Sequence, residues 1–208
     1  MKLRKTIVVA VLLLGSSLTH AATIFSDNFD AYLPDQLNWL PPAASGWVVT
    51  DGTVDLHGAG GSYDFLPGHG SYVDLDGSSL DSGLFSANLN LTGGEIYRLS
   101  FELGGSQRGN QGETVNVSFG SASASYIINV TDSFSTYTLD FTPGSDGVYS
   151  LSYQNVGGDN RGAFLDNVSV SAGPVPASSI PEPATYAMLL SGLGLMTLFL
   201  RRGKIGRA

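Results

Sequence analysis

The chain contains no cysteine. A domain of this composition is therefore held without disulfides, by its core, its sheets and any metal it binds. Basic residues are almost as scarce in the middle of the chain. Between Ala22 and Ile180 there are only Arg98, Arg108 and Arg161, against seventeen Asp and Glu, a net charge of −14. Such a field repels nucleic acid and anionic lipid and attracts divalent cations, so no nucleic-acid partner is expected. No long amphipathic helix interrupts this stretch. Catalytic signatures are missing too: there is no Gly-x-Ser-x-Gly, His-Glu-x-x-His, P-loop or Gly-x-Gly-x-x-Gly. His57 and His69 are the only histidines left in the body, each in a Gly-rich setting that reads as loop.

What is present begins with an export signal. Lys2, Arg4 and Lys5 precede the apolar run Ile7 to Leu14, and Thr19-His20-Ala21 supplies small residues for cleavage after Ala21. Residues 1–21 are thus expected to be a signal peptide, because eight apolar residues cannot cross a bilayer core of roughly 30 Å. From there the chain alternates with period 2. "EIYRLSFEL", "TVNVSFG", "STYTLDF" and "VYSLSY" each place apolar and polar residues on opposite faces, the pattern of half-buried strands. With "ATIFSDNF", "WVVT", "TVDLH", "SYVDLDG", "ASYIINV" and "AFLDNVSV" this makes about ten strands separated by Gly, Asn, Asp and Ser. The expected fold over 22–170 is all-β, an antiparallel two-sheet sandwich of jelly-roll type. "SAGPVPASSI", 171–180, reads as a linker. The expected chain then carries a signal helix before the sandwich and a single transmembrane helix after it.

The segment 184–200 has seventeen residues without a charge, near the lower limit for a spanning helix of roughly 17–25 residues. Arg201 and Arg202 follow at once and should stay cytoplasmic, with the body facing outward. A plain anchor does not need Pro181-Glu182-Pro183 at its outer boundary. "PEPATYAMLLSGLGL…RR" closely resembles the PEP-CTERM sorting tail of exported bacterial proteins, over 181–208. The resemblance implies recognition of Pro181, Glu182 and Pro183 by a membrane protease-transpeptidase, an exosortase. It also implies only a transient hold in the inner membrane, then release to the surface or matrix of a Gram-negative-type bacterium. Two prolines keep the motif extended and accessible.

Within the body, Asp74 and Asp76 share a strand face in "YVDLDG", an arrangement a glycosidase uses; flanking Val73 and Leu75 favour an ordinary strand. In "AFLDNVSV", Phe164, Asp166, Val168 and Val170 share one parity, which makes Asp166 core-facing. A buried carboxylate needs a partner, and with so few basic residues that partner is calcium or backbone N–H. The "SDNFD" and "AFLDNVSV" segments also resemble the ends of carbohydrate-binding and galactose-binding-like jelly-roll modules. In many of those, an acid after the first strand and an Asp in the last share a structural calcium. The matching positions are Asp30 and Asp166, and the competing reading is an Asp that caps a turn.

Two Gly-Asn-Arg loops, "GGSQRGNQGE" and "NVGGDNRGAF", are candidate ligand loops through Arg108, Asn110 and Arg161, whose donors suit sugar hydroxyls or carboxylates. A salt bridge to one of the seventeen acids is the plainer role for each arginine. Trp39, Trp47, Tyr63 and Tyr72 are candidates for stacking on sugar rings, although most aromatics in a sandwich are core. The leading expectation is a non-enzymatic surface or matrix protein whose sandwich takes extracellular polysaccharide. The alternatives are a secreted polysaccharide hydrolase and a purely structural matrix protein.

Overall fold

A computed structural model describes residues 22–173, together with Met188 and Ser191. The signal segment 1–21, most of the tail 181–208 and nearly all of the expected membrane helix 184–200 lie outside the described residues. Among the described residues, no helix is long and apolar enough to cross a membrane. The chain divides between Gly173 and Pro174 into two compact units, and the first holds the eleven strands and the buried core found among the described residues.

The strands are β1 (Ala22–Asp27), β2 (Trp47–Thr50), β3 (Asp55–Gly58), β4 (Ser71–Asp74), β5 (Leu84–Leu91), β6 (Tyr97–Gly104), β7 (Glu113–Phe119), β8 (Ala122–Ile128), β9 (Ser135–Phe141), β10 (Gly147–Val156) and β11 (Phe164–Ala172). They form two antiparallel sheets. Sheet A runs β3-β4-β11-β6-β9, with β1 also paired to β11; sheet B runs β2-β5-β10-β7-β8. The expected two-sheet sandwich is observed, and among residues 22–173 the one helical element is a 3-10 turn at Ala43–Ser45.

One strand escaped the sequence reading. In β5, Phe85, Ala87, Leu89 and Leu91 are buried while Asn88 and Asn90 are exposed, so the period was present. Its asparagines and serine weaken its β-propensity, and burial against β2 and β10 overrides that. The last strand also runs longer than expected. Ser171 and Ala172, assigned to the linker, pair with Thr23 and Ala22 of β1.

The core between the sheets is a continuous set of side chains from both inner faces. Leu99, Phe101 and Leu103 of β6 and Val168 and Val170 of β11 meet Phe85, Val115, Val117, Leu151 and Tyr153 of sheet B. Trp47 stacks on Phe85 with ring centroids 4.2 Å apart, and Phe29 and Trp39 close the same end. Each such aromatic buries roughly 150–250 Å².

Sheet A has a second, smaller packed layer on its outer face. Tyr72 of β4 and Phe164 of β11 approach to 4.8 Å, and Phe65 stacks on Phe164 at 5.9 Å. The loop carrying Phe65 is pinned there because the Tyr72 hydroxyl accepts the backbone N–H groups of Phe65 (2.7 Å) and Leu66 (3.0 Å).

Candidate functional site

The last strand decides the surroundings of Asp166. It changes partner along its length: Phe164 and Leu165 pair with β4, whereas Val168 to Ala172 pair with β1. At the change the register with β6 slips between Asp166 and Ser169, and Asn167 adopts a left-handed φ of 48°. This is a β-bulge. It flips side-chain parity, so Leu165, Val168 and Val170 all face the inter-sheet core while Phe164 packs in the outer layer. The expectation that Asp166 shares the core face with Val168 and Val170 is therefore corrected. Asp166 lies opposite Glu102, on the outer side of sheet A, and is nevertheless buried.

The Asp166 carboxylate accepts the Asn167 backbone N–H at 2.6 Å and its side-chain amide at 3.2 Å. Burial, followed by the nearby charges of Glu102, Asp30 and Asp27, pushes its pKa up to about 7 against the one lowering effect, the Asn167 N–H. Asp30 is held close by. Its carboxylate accepts the Ser71 N–H at 2.8 Å and the Asn28 amide at 2.7 Å, and it occupies the place a side chain at Gly70 (φ 72°) would take. Asp27 is anchored by the Tyr32 hydroxyl (3.0 Å) and Trp47 Nε1 (3.1 Å). Asp30 and Asp166 are thus brought into electrostatic reach of each other, among carboxylates and with no positive charge acting on Asp166. Hard oxygen donors without a cation suit calcium. Among the described residues, however, no three His, Asp or Glu side chains converge as a metal site. A calcium here would take two carboxylates at most from the expected pair, with backbone carbonyls and water completing its shell.

The candidate ligand loops do meet. Arg108, Gly109, Asn110 and Gln111 from one loop, Asp159 and Arg161 from the other, and Glu113 at the start of β7 line an open cleft of about 150 Å³. The Arg161 guanidinium lies over Gly109 (φ 80°), 2.7 Å from where a Cβ would stand, so a side chain at 109 would displace it. Among the described residues Arg161 makes no ion pair, and it is exposed. Arg108 is used differently. Its guanidinium pairs with Asp74, donates from Nε to the Ser106 carbonyl at 3.2 Å, and lies over the Phe65 ring at 4.6 Å. Arg108 thus forms one wall of the cleft while tying its loop to β4. Glu113 accepts the Asn155 amide at 3.0 Å, and burial, aided by Asp159, Asp76 and Asp74, raises its pKa.

Two of the proposed stacking residues are elsewhere. Trp47 is 2% exposed and sealed between Phe25 and Phe85; Tyr72 is fully buried under its own loop. Neither presents a ring face to a ligand, because each is needed to close a packed layer. Trp39 is buried as well. Of the four aromatics considered, Tyr63 alone keeps an exposed surface, and its ring packs at 6.3 Å from Phe65, the ring beneath Arg108.

Asp74 and Asp76 are both fully buried. Asp74 is engaged by Arg108 and the Asp76 N–H, and Asp76 accepts the N–H groups of Asp159 (2.9 Å) and Asn160 (3.1 Å). They organise the two candidate loops from below, with both carboxylates sealed from solvent. The sequence pointed to the loops through their Arg, Gly and Asn content. It singled out Arg108, Asn110 and Arg161 within them; Gln111, Glu113 and Asp159 lie in the same two stretches, and that they share one cleft follows only from β7, β10 and β11 bringing the loop ends together.

At the other end of the chain, residues 179–203 match a family model described as the PEP-CTERM protein-sorting motif. This chain carries a PEP-CTERM sorting motif. Pro181, Glu182 and Pro183 fall inside the match, as do Arg201 and Arg202. The motif is that of an exported protein. Among curated proteins none matches the chain.

Solved structures similar to the sorted body include a Stig cyclase, FisC, from Fischerella sp. TAU, at 18% identity and TM-score 0.49, covering 75% of this chain and 100% of that one. The CBM22-1-CBM22-2 tandem domain of Paenibacillus barcinonensis Xyn10C is similar at 14% identity and TM-score 0.47, covering 81% of this chain and 50% of that one. The CBM22-1-GH10 modules of a Clostridium thermocellum xylanase 10B show 14% identity and TM-score 0.45 over 77% of this chain and 30% of that one.

Proposed function

We propose that this PEP-CTERM protein is a non-catalytic, polysaccharide-binding component of the bacterial surface or extracellular matrix. Its signal peptide starts export, its 184–200 helix holds it briefly in the inner membrane with Arg201 and Arg202 on the cytoplasmic side, and exosortase processing at Pro181-Glu182-Pro183 releases the body.

The observation that supports the binding role is the convergence of Arg108, Asn110 and Arg161 on one polar cleft. The two loops come from distant parts of the sequence, and their amide and guanidinium donors have the chemistry that sugar hydroxyls accept. Arg161, without an acidic partner among the described residues, is the donor free to serve a ligand. A structural calcium linking Asp30 and Asp166 belongs to the same proposal. It would neutralise the acids where β11 passes from β4 to β1.

The test is a glycan array and calorimetric titration with extracellular polysaccharides, run on the body and on Arg161→Ala and Asn110→Ala. Binding lost in both variants, at unchanged melting temperature, supports the cleft. Binding that is absent, or that is indifferent to both substitutions, overturns it, and release of reducing ends from the panel would favour a hydrolase instead.

A further inference from the structure

Charge is divided unequally between the two sheets. The strands of sheet A carry Asp27, Asp55, Asp74, Arg98, Glu102, Asp140 and Asp166. In the five strands of sheet B the only charged residue is Glu113, buried at the end of β7. The outer face of sheet B is built instead from Ser86, Asn88, Ser152, Asn116, Ser118 and Ser125, joined by exposed Val48, Val148 and Ile127. On a body with a net charge of −14, this is where a like-charged molecule meets least repulsion.

The sheet edges differ just as sharply. Free edges are normally guarded by shortness, charge, bulges or cover. β1 is bulged between Thr23 and Phe25 and ends on Asp27. β3 is covered by an antiparallel bridge from Gln36 to Leu56. β2 has four residues. β9 carries Asp140, held by Arg98 through two bonds of 2.7 Å. β8 has none of these guards. It is seven residues long, uncharged, free of proline and in unbroken register with β7, and it ends its sheet.

Its sequence, Ala-Ser-Ala-Ser-Tyr-Ile-Ile, is small in the first half and large in the second. Antiparallel pairing of two such strands about Ser125 sets each large residue against a small one. Ile127 then faces Ser123 of the other copy, Tyr126 faces Ala124, and Ile128 faces Ala122. Ile127 is 78% exposed in the single chain, an unusual position for isoleucine on an edge strand. We propose that β8 is a self-association edge, at which a second copy of this chain adds its own β8 to make one continuous ten-stranded sheet. The occupant is a second copy because the strand is complementary to itself and because sheet B is the uncharged side of an acidic molecule.

The test is sedimentation velocity on the body, 22–173, from micromolar to near-millimolar concentration in low and high salt. A dimer is expected that tightens as salt screens the like charges. Ile127→Lys should weaken it by at least about tenfold, whereas Val148→Lys, on the same face but away from the edge, should not. Ser125→Cys should form a disulfide-linked dimer on mild oxidation, since a two-fold at Ser125 brings the pair within bonding distance; Asn88→Cys should not. A wild-type body that stays monomeric throughout overturns the proposal. So does equal disruption by Ile127→Lys and Val148→Lys, which would move the contact from the edge to the face.

Discussion

Removing the charge of Arg108 while keeping its bulk is the sharpest probe of the loop that walls the cleft. Asp74 is fully buried, with Arg108 on one oxygen, the Asp76 N–H on the other at 3.0 Å, and His57 Nε2 at 3.6 Å. Burial already pushes the Asp74 pKa up; the His57 contact and then the Arg108 charge pull it back. Arg108→Met preserves cover over Phe65 and Phe164 but leaves Asp74 without its cation. Breaking a buried pair in this way costs about 3–5 kcal/mol, and the partial exposure of the Arg108 side chain, 22%, argues for the lower end. At about 2–4 °C per kcal/mol for a domain of this size, the melting temperature of the body should fall by roughly 6–12 °C.

The pH dependence has a definite sign. A carboxylate whose pKa is raised in the folded state contributes stability below its unfolded value and loses it as pH rises through the folded value. Loss of Arg108 raises the Asp74 pKa further, so the deficit should be smallest near pH 4 and grow toward neutrality. Asp74→Asn combined with Arg108→Met should recover most of the loss, with a coupling of about 2 kcal/mol or more. The measurement is a double-mutant cycle by urea denaturation at acidic and neutral pH. A deficit below about 1 kcal/mol, typical of a surface pair, or one that ignores pH and the second substitution, would refute the buried-pair account and leave Arg108 to ligand binding alone.

Asp166 predicts a second pH effect. With a folded pKa of about 7 against an ordinary 3.8, its ionisation costs stability progressively as pH rises from about 4 to 7. In chelator, the body should therefore be more stable at pH 5 than at pH 8, and Asp166→Asn should flatten that difference. Calcium at a hundredfold excess over its Kd should raise wild-type stability by about 2.7 kcal/mol, with much of the gain lost in Asp166→Asn; identical melting curves with and without chelator would remove the calcium. For the tail, mass spectrometry of the surface-released protein should find the peptide after Pro183 missing. Pro181→Ala with Pro183→Ala should leave the body membrane-bound, and recovery of released protein still carrying Arg201 and Arg202 would contradict processing.

The sequence by itself determined the class of fold, the outward route and the chemistry available. Period-2 alternation in β6, β7, β9 and β10 requires half-buried strands wherever they are placed. The Pro-Glu-Pro motif, the uncharged apolar run and the arginines are a local signal, complete in about 28 contiguous residues. The scarcity of basic residues is likewise a property of composition. What only the tertiary structure decided are the features that depend on which strand lies beside which. Counting parity through "AFLDNVSV" assumed an unbroken strand, but β11 hands over from β4 to β1 at Asp166, and the bulge there reverses the faces. Trp47 and Tyr72 look like exposed platforms in a Gly-rich sequence, yet each is covered by a segment distant in sequence or by its own folded-back loop. The pairing of Arg108 with Asp74 and the arrival of Arg161 over Gly109 join residues 34 and 52 positions apart. Local periodicity carries no information about such contacts, because the energy that selects them comes from burying charge and aromatic surface between elements that meet only once both sheets have formed.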